Sequence, residues 1–287
     1  MPTRTFHQLA CPLDGLPLTR HDRQLLCPDG HSFDIARQGY ANLLPVQHKK
    51  SRHPGDSQAM VEARVAFLDS GAYAPIAEQL AQSAAAVLPA QDEVCVLDAG
   101  CGDGYYLDRL FQQLAAADPQ QTLNLVGLDI AKPAIIAACR RNKAITWLVG
   151  TNVRPPLLPA SVDLVLCLFG FPSWEAFAGV LRPGGHIVLV ESGPAHLIEL
   201  REVIYPEVRR SPPPALDKAE AAGFRLVDTQ TLTFRTGPMP REQLDRLLVM
   251  TPHLYRASHE GKAAAEALDT LDLTVEVVFR TLVLGDG

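Results

Sequence analysis

From residue 94 onward the apolar positions keep two alternating rhythms. Short β-branched runs at 94–98, 123–129, 145–149, 162–168 and 185–191 predict buried strands. Stripes with helical spacing at about 104–117, 132–141 and 174–181 predict the helices between them. Strands and helices that alternate in this way define a doubly wound α/β fold with a parallel sheet. Helices are predicted at 196–204 and 214–222, the latter ending at Gly223, and strands over Phe224 to Phe234 and Leu273 to Leu284. Between those strands sits an insertion with a helix from about 240, the stretch Met250 to Arg256, and a second helix. Upstream, Asp56 or Ser57 is placed to cap a helix through Met60, Arg64, Phe67 and Leu68 that stops near Gly71. A further helix carries Tyr73, Ile76, Leu80 and Ala84 on one face, which reads as a core stripe.

The strand 94–98 ends in Val96-Leu97-Asp98-Ala99-Gly100-Cys101-Gly102-Asp103-Gly104-Tyr105-Tyr106. Glycines at alternate positions between a strand and a helix permit a tight turn and let a ligand approach backbone at the carboxyl end of the strand. The third glycine comes one residue earlier than in the dinucleotide fingerprint G-x-G-x-x-G. The next strand ends on Asp129, a carboxylate placed to accept hydrogen bonds from ribose hydroxyls. After the third comes Gly150-Thr151-Asn152, with polar groups that suit an adenine edge. After the fourth comes the apolar loop Phe169-Gly170-Phe171-Pro172. Arg182-Pro183-Gly184-Gly185 turns into the fifth, and Pro194 and His196 follow that strand on the same side of the sheet.

Composition adds an ordinary globular balance, 47% hydrophobic and 20% charged. No apolar run is long enough to span a bilayer and no signal pattern opens the chain, so a cytoplasmic protein with reduced cysteines is expected. A net charge of -6 argues against a general polyanion-binding surface but leaves room for a local one. The densest basic run, His48-Lys49-Lys50-Ser51-Arg52-His53, enters a Pro54-Gly55-Asp56 loop. Contact with an RNA backbone is the functional reading of that run, and a solvated connector is the other.

At the N-terminus, Cys11 with Asp14 and Cys27 with His31 resemble two facing metal knuckles, a spacing that suits tetrahedral zinc. Asp14 stands where cysteine is usual. His7 and His21 lack the spacing and read as loop residues. The alternative is a small hairpin lobe without metal. The expected organisation is a zinc-finger-like lobe over 1–35, a basic linker and helix over 36–72, and a main domain over 73–287 with an insertion at about 237–270.

Asp98, the D-x-G-C-G-D-G loop, the acidic end of the second strand and the R-P-G-G turn occur in the order seen in class I S-adenosylmethionine-dependent methyltransferases, a resemblance covering roughly 94–192. It implies a Rossmann-like seven-stranded fold with S-adenosylmethionine held by Asp98, Gly100, Gly102, Asp103, Gly104, Tyr105, Tyr106, Asp129 and Asn152. The whole chain resembles a narrower family, the bacterial 23S ribosomal RNA (guanine-N1)-methyltransferases. That likeness rests on the N-terminal lobe, Gly39 to Pro45, Gln47 to Arg52 with Pro54 to Ser57, Ala63-Arg64 with Phe67-Leu68-Asp69, Cys101 to Tyr106, Gly193-Pro194 with His196-Leu197 and Glu199-Leu200, and Met250-Thr251-Pro252.

The narrower resemblance implies methylation of guanine N1 in a hairpin of 23S ribosomal RNA, RNA recognition by the N-terminal lobe, a homodimer, and zinc ligands at Cys11, Asp14, Cys27 and His31. A related branch modifies a neighbouring guanine and confers macrolide resistance. A small-molecule methyltransferase and a non-catalytic RNA-binding module are the readings from other classes. Guanine N1 carries a proton that must leave, for which His196 and Asp103 are candidates by position. Tyr255 and Arg256 are expected to contact RNA with His48, Lys49, Lys50 and Arg52, by stacking and by phosphate pairing.

Overall fold

The computed structural model describes residues 6–48, 54–251 and 257–285. Three short strands, β1 (Thr19–His21), β2 (Gln24–Leu26) and β3 (Ser32–Asp34), form an antiparallel N-terminal sheet. The next strand, β4 (Tyr40–Asn42), leaves that lobe and pairs in parallel with the edge of the main sheet. This strand was not anticipated, because a three-residue strand carries too little periodicity to read.

Helices α1 (Gln58–Asp69) and α2 (Ala74–Ala85) follow. Ser57 caps α1, its hydroxyl accepting from the Met60 N–H at 3.3 Å. The alternating core then runs β5 (Glu93–Ala99), α3 (Tyr105–Ala117), β6 (Thr122–Asp129), α4 (Lys132–Arg141), β7 (Thr146–Val149), β8 (Val162–Leu168), α5 (Trp174–Val180) and β9 (Leu181–Ser192). Helices α6 (Ile198–Ile204) and α7 (Asp217–Ala221) lead to β10 (Phe224–Pro240), which is joined to β11 (Thr270–Leu284) through α8 (Arg241–Met250) and α9 (His259–Glu266).

The main sheet has the order β10-β11-β9-β8-β5-β6-β7-β4. The last strand is inserted antiparallel between β9 and β10, and β4 makes an eighth strand beside the predicted seven. Successive side chains of each central strand feed opposite faces. Val96, Leu164 and Leu166 join the core under α2, α3 and α4, while Cys95, Leu97 and Val165 join the core under α5. The N-terminal lobe completes that second layer. Leu9, Leu18 and Leu25 are buried in the same cluster as Val126, Leu128 and Leu148, and the Ala10 N–H donates to the Pro156 carbonyl at 2.9 Å.

The hairpin of β10 and β11 is longer than the sheet that supports it. Val277 pairs with Ser192, the last residue of β9, so residues 270–276 run on past the carboxyl end of the parallel strands. There α8 packs on α1 and α9 packs on α6. The insertion therefore stands beside the strand ends that carry the polar motifs.

A candidate cofactor and acceptor site at the sheet's carboxyl edge

Each parallel strand from β5 to β9 delivers a group to the same edge. Asp98 lies at the end of β5 and the glycines follow it, Asp129 ends β6, Asn152 follows β7, Phe169 follows β8 and His196 follows β9. The glycine turn is built on left-handed backbone, with φ of 91° at Gly100, 55° at Gly102 and 78° at Gly104. At Gly104 a side chain is excluded twice over, since a Cβ there would lie 2.5 Å from the buried Trp147 ring. The Gly100 and Cys101 N–H groups both donate to the Leu128 carbonyl, which pins the turn to β6. The Asp129 carboxylate accepts from the Gly102 N–H at 2.9 Å and from the Ala131 N–H at 2.7 Å. Burial pushes its carboxyl upward; those two N–H groups and the Arg64 charge pull the other way. Asn152 comes against the turn from β7, its Nδ2 being 3.7 Å from the position a Gly100 Cβ would take.

Asp98 is 1% exposed, and its Oδ1 has no hydrogen-bond partner among the described residues. Burial first, then the charges of Asp129 and Asp103, push its carboxyl up to about 8. A buried acceptor left open beside a glycine cradle suits a cationic donor. The residues thus fit the amino-acid end of S-adenosylmethionine at Asp98 and its ribose at Asp129.

Asp103 has a different setting. It is 2% exposed and forms an ion pair with Arg141 at the end of α4, and Arg141 also pairs with Asp69 of α1 at 2.7 Å. The Arg141 Nε donates to the Asp103 carbonyl at 3.2 Å as well. Its guanidinium lies 5.4 Å from the Tyr105 ring centroid, so Tyr105 belongs to this clamp.

His196 is buried at the other end of the edge. Its Nε2 lies 3.5 Å from the Tyr73 hydroxyl, and its ring lies 6.2 Å from those of Tyr73 and Phe169. Tyr106 is 6.5 Å from Phe169, which continues the aromatic wall. Burial raises the phenols of Tyr73 and Tyr106, so both stay protonated and can donate. Phe169 holds φ of 52°, an uncommon backbone for a bulky residue, and Phe171 two residues on is 92% exposed. Tyr73, Phe169 and Arg64 are the members of this edge to which sequence reasoning gave no role. Tyr73 looked like one more position in an apolar stripe, and nothing in the sequence distinguishes it from that.

In the N-terminal lobe the four knuckle residues converge, with one ligand atom from each of Cys11, Asp14, Cys27 and His31 within 4.8 Å of the others. The Cys11 N–H bonds the Leu16 carbonyl and the Cys27 N–H bonds the His31 carbonyl, closing the two turns. Asp14 Oδ2 is 2.8 Å from His31 Nδ1 and 3.1 Å from Cys27 Sγ. The Leu16 N–H donates to Oδ1, holding the carboxyl low at about 2. Two thiolates and a carboxylate carry the same charge as three thiolates, so this donor set fits zinc. A cavity of about 260 Å³ between the lobe and the sheet edge is lined by Leu9, Arg20, Lys143 and Trp147, away from the glycine turn. Lys49, Lys50, Arg52, Tyr255, Arg256 and the side chain of His48 lie outside the described residues.

The fold and the carboxyl-edge site define a class I methyltransferase. A methyltransferase-domain family model matches residues 96–185, and the model for the RlmA N-terminal zinc ribbon matches 9–52. The fold is shared with one chain of the complex of the Haloferax volcanii Trm112 methyltransferase activator with a methyltransferase, at TM-score 0.51 and 18% identity over 83% of this chain and 100% of that one. The 23S rRNA (guanine(748)-N(1))-methyltransferase of Streptomyces fradiae is 32% identical over 97% of this chain and 98% of its own length. A Micromonospora griseorubida protein assigned to the 23S rRNA (guanine-N(1)-)-methyltransferases is 38% identical over 67% of this chain and 68% of its own length. The chain belongs to the 23S rRNA (guanine-N1)-methyltransferase family.

Proposed function

We propose that this protein transfers a methyl group from S-adenosylmethionine to N1 of a guanine in a hairpin of 23S ribosomal RNA. The observation that carries this reading is kinship across nearly the full chain with an enzyme named for that reaction, joined to a glycine cradle in which Asp98 is buried and open to a cation. Bound there, S-adenosylmethionine supplies an activated sulfonium methyl. The chain's own residues hold, orient and exclude water. Asp98 takes the amino group, Asp129 the ribose hydroxyls and Asn152 the adenine edge, with Gly100, Gly102 and Gly104 leaving room for them. Tyr106 and Phe169 wall the reacting end.

Guanine N1 must lose its proton, and His196 is assigned that proton, with the Tyr73 hydroxyl beside Nε2 fixing the ring. Asp103 is assigned to holding the glycine turn against α4 and α1, because its carboxylate is engaged by Arg141. The exposed Phe171 offers a stacking face for a base drawn out of its stack. His48, Lys49, Lys50, Arg52, Tyr255 and Arg256 are assigned to RNA. Cys11, Asp14, Cys27 and His31 are assigned to a zinc ion that stiffens the lobe. No helix among the described residues is long and apolar enough to cross a membrane; action on ribosomal RNA supports a cytoplasmic place, and the family resemblance supports a homodimer.

The test is mass-spectrometric mapping of methylated guanines in 23S RNA after incubation with the protein and S-adenosylmethionine. New N1-methylguanine in one hairpin is expected, and guanine 748, named for the Streptomyces fradiae relative, is the first position to map. RNA left without any new N1-methylguanine would overturn the proposal.

A further inference from the structure

We infer that Arg64 is the residue that recognises the methionine carboxylate of the cofactor, and that Asp56 positions it; this rests on the cofactor reading above. The amino-acid end of S-adenosylmethionine is a zwitterion. Asp98 answers its ammonium, and a cation must answer the carboxylate that sits one carbon away. Arg64, on α1, reaches the glycine turn from outside the sheet. Its Nη1 lies 3.4 Å and its Cδ 3.8 Å from where a Gly102 Cβ would stand. Its charge acts on both Asp129 and Tyr106. Arginine presents a planar fork that matches a carboxylate bidentately.

The packing that brings Arg64 there is specific. Val61 and Val65 of α1 pack with Ala131 and Ala134 at the start of α4, directly after the ribose carboxylate. Ahead of α1, Gly55 has φ of 80° and lies so close to Ala131 that a Cβ would stand 2.8 Å from the Ala131 Cβ. The next residue, Asp56, pairs with Arg64 Nη2 at 2.5 Å. Among the described residues that ion pair is the one Arg64 makes. Nη2 is thereby anchored, and Nη1 lies against Gly102 of the turn. A cation 22% exposed in its side chain, fixed on one side and open on the other, is preorganised for an incoming anion.

Calorimetry with two ligands tests this. S-adenosylhomocysteine carries the aminocarboxylate and 5′-methylthioadenosine lacks it. Arg64→Ala is expected to weaken S-adenosylhomocysteine roughly 10- to 100-fold, the worth of a hydrogen-bonded charge pair, and to leave 5′-methylthioadenosine within about 2-fold, since the lost partner is absent from that ligand. Arg64→Lys is expected to recover part of the loss, and Asp56→Asn to reproduce a smaller one with the same ligand dependence. Equal losses for both ligands, or no loss for S-adenosylhomocysteine, would overturn the assignment. If the unsubstituted protein bound neither ligand, the cofactor reading itself would fall and this one with it.

Discussion

Tyr73 and His196 lie 123 residues apart in sequence and meet at 3.5 Å, hydroxyl to Nε2, in the buried aromatic wall of the sheet's carboxyl edge. Tyr73 stands at the N-cap of α2 and His196 follows β9, so the contact joins the helical layer to the end of the parallel sheet. Removing the imidazole removes the proposed proton acceptor. His196→Ala is expected to lower single-turnover methylation by about 100-fold or more at neutral pH, the range of general-base catalysis. The deficit should shrink at alkaline pH, where guanine N1 sheds its proton unaided. Tyr73→Phe should cost less, because it leaves the base in place. Full methylation by His196→Ala across pH would remove His196 from the proton's path.

The pH dependence of folding is expected to report Asp98. An unfolded aspartate titrates near pH 4, whereas burial pushes this one up to about 8. Between those values the folded, cofactor-free chain keeps a proton that the unfolded chain has lost. Stability from this group is therefore complete below about pH 4 and is lost as pH rises through about 8. Asp98→Asn carries no such charge, so its melting temperature should exceed that of the unsubstituted chain near pH 8 and converge with it toward pH 4. A bound ammonium reverses the preference, and S-adenosylhomocysteine should displace a proton when it binds near pH 7. Calorimetry in buffers of differing ionisation enthalpy measures that release, which Asp98→Asn should abolish. Parallel melting curves for the two chains would show that Asp98 is already ionised in the fold.

Legibility from sequence followed the length of the repeating pattern. The five central strands and their helices are long and periodic, and they lie within a few residues of expectation, as with 162–168 against Val162–Leu168. β4 is only three residues long and went unread. The predicted strand from Phe224 to Phe234 extends to Pro240; Pro238 and Pro240 pair with Asp272 and Thr270 on an edge strand, where a missing N–H costs little. Motif residues on strand ends could be placed because a loop between strand and helix has one side facing the ligand edge. Arg64 and Tyr73 could not, because helical spacing reveals which face is apolar but not what faces it across space.

The clamp of Asp103, Arg141 and Asp69 is expected to govern stability more than chemistry. Arg141→Ala would leave Asp103, 2% exposed, as an uncompensated buried charge. Breaking a buried pair from one side costs about 3–5 kcal/mol, so chemical denaturation should show a loss of that order. Exposed Asp69 pairs with the same arginine, and Asp69→Ala should cost about 1 kcal/mol or less. Asp103→Asn removes the charge while keeping the shape. At a temperature where it stays folded, it should retain most of its methylation rate. A rate that collapsed in folded Asp103→Asn with its affinity for S-adenosylhomocysteine intact would return Asp103 to the chemistry.

The proposed zinc site of the lobe rests on Asp14. Its Oδ2 stands between Cys27 Sγ and His31 Nδ1, and the Leu16 N–H steadies its other oxygen. Carboxylate oxygen binds zinc at shorter range than sulfur but is a harder donor than thiolate, so this set should hold zinc less tightly than one with a third cysteine. Elemental analysis of the purified protein is expected to find stoichiometric zinc, and Asp14→Ala should lose it. Asp14→Cys should keep it and release it more slowly to a chelator. Because Leu9, Leu18 and Leu25 are buried against the main sheet, metal loss should also lower the melting temperature of the whole chain. Protein purified without zinc that melts at the same temperature with and without added metal would show that the knuckles are held by packing alone.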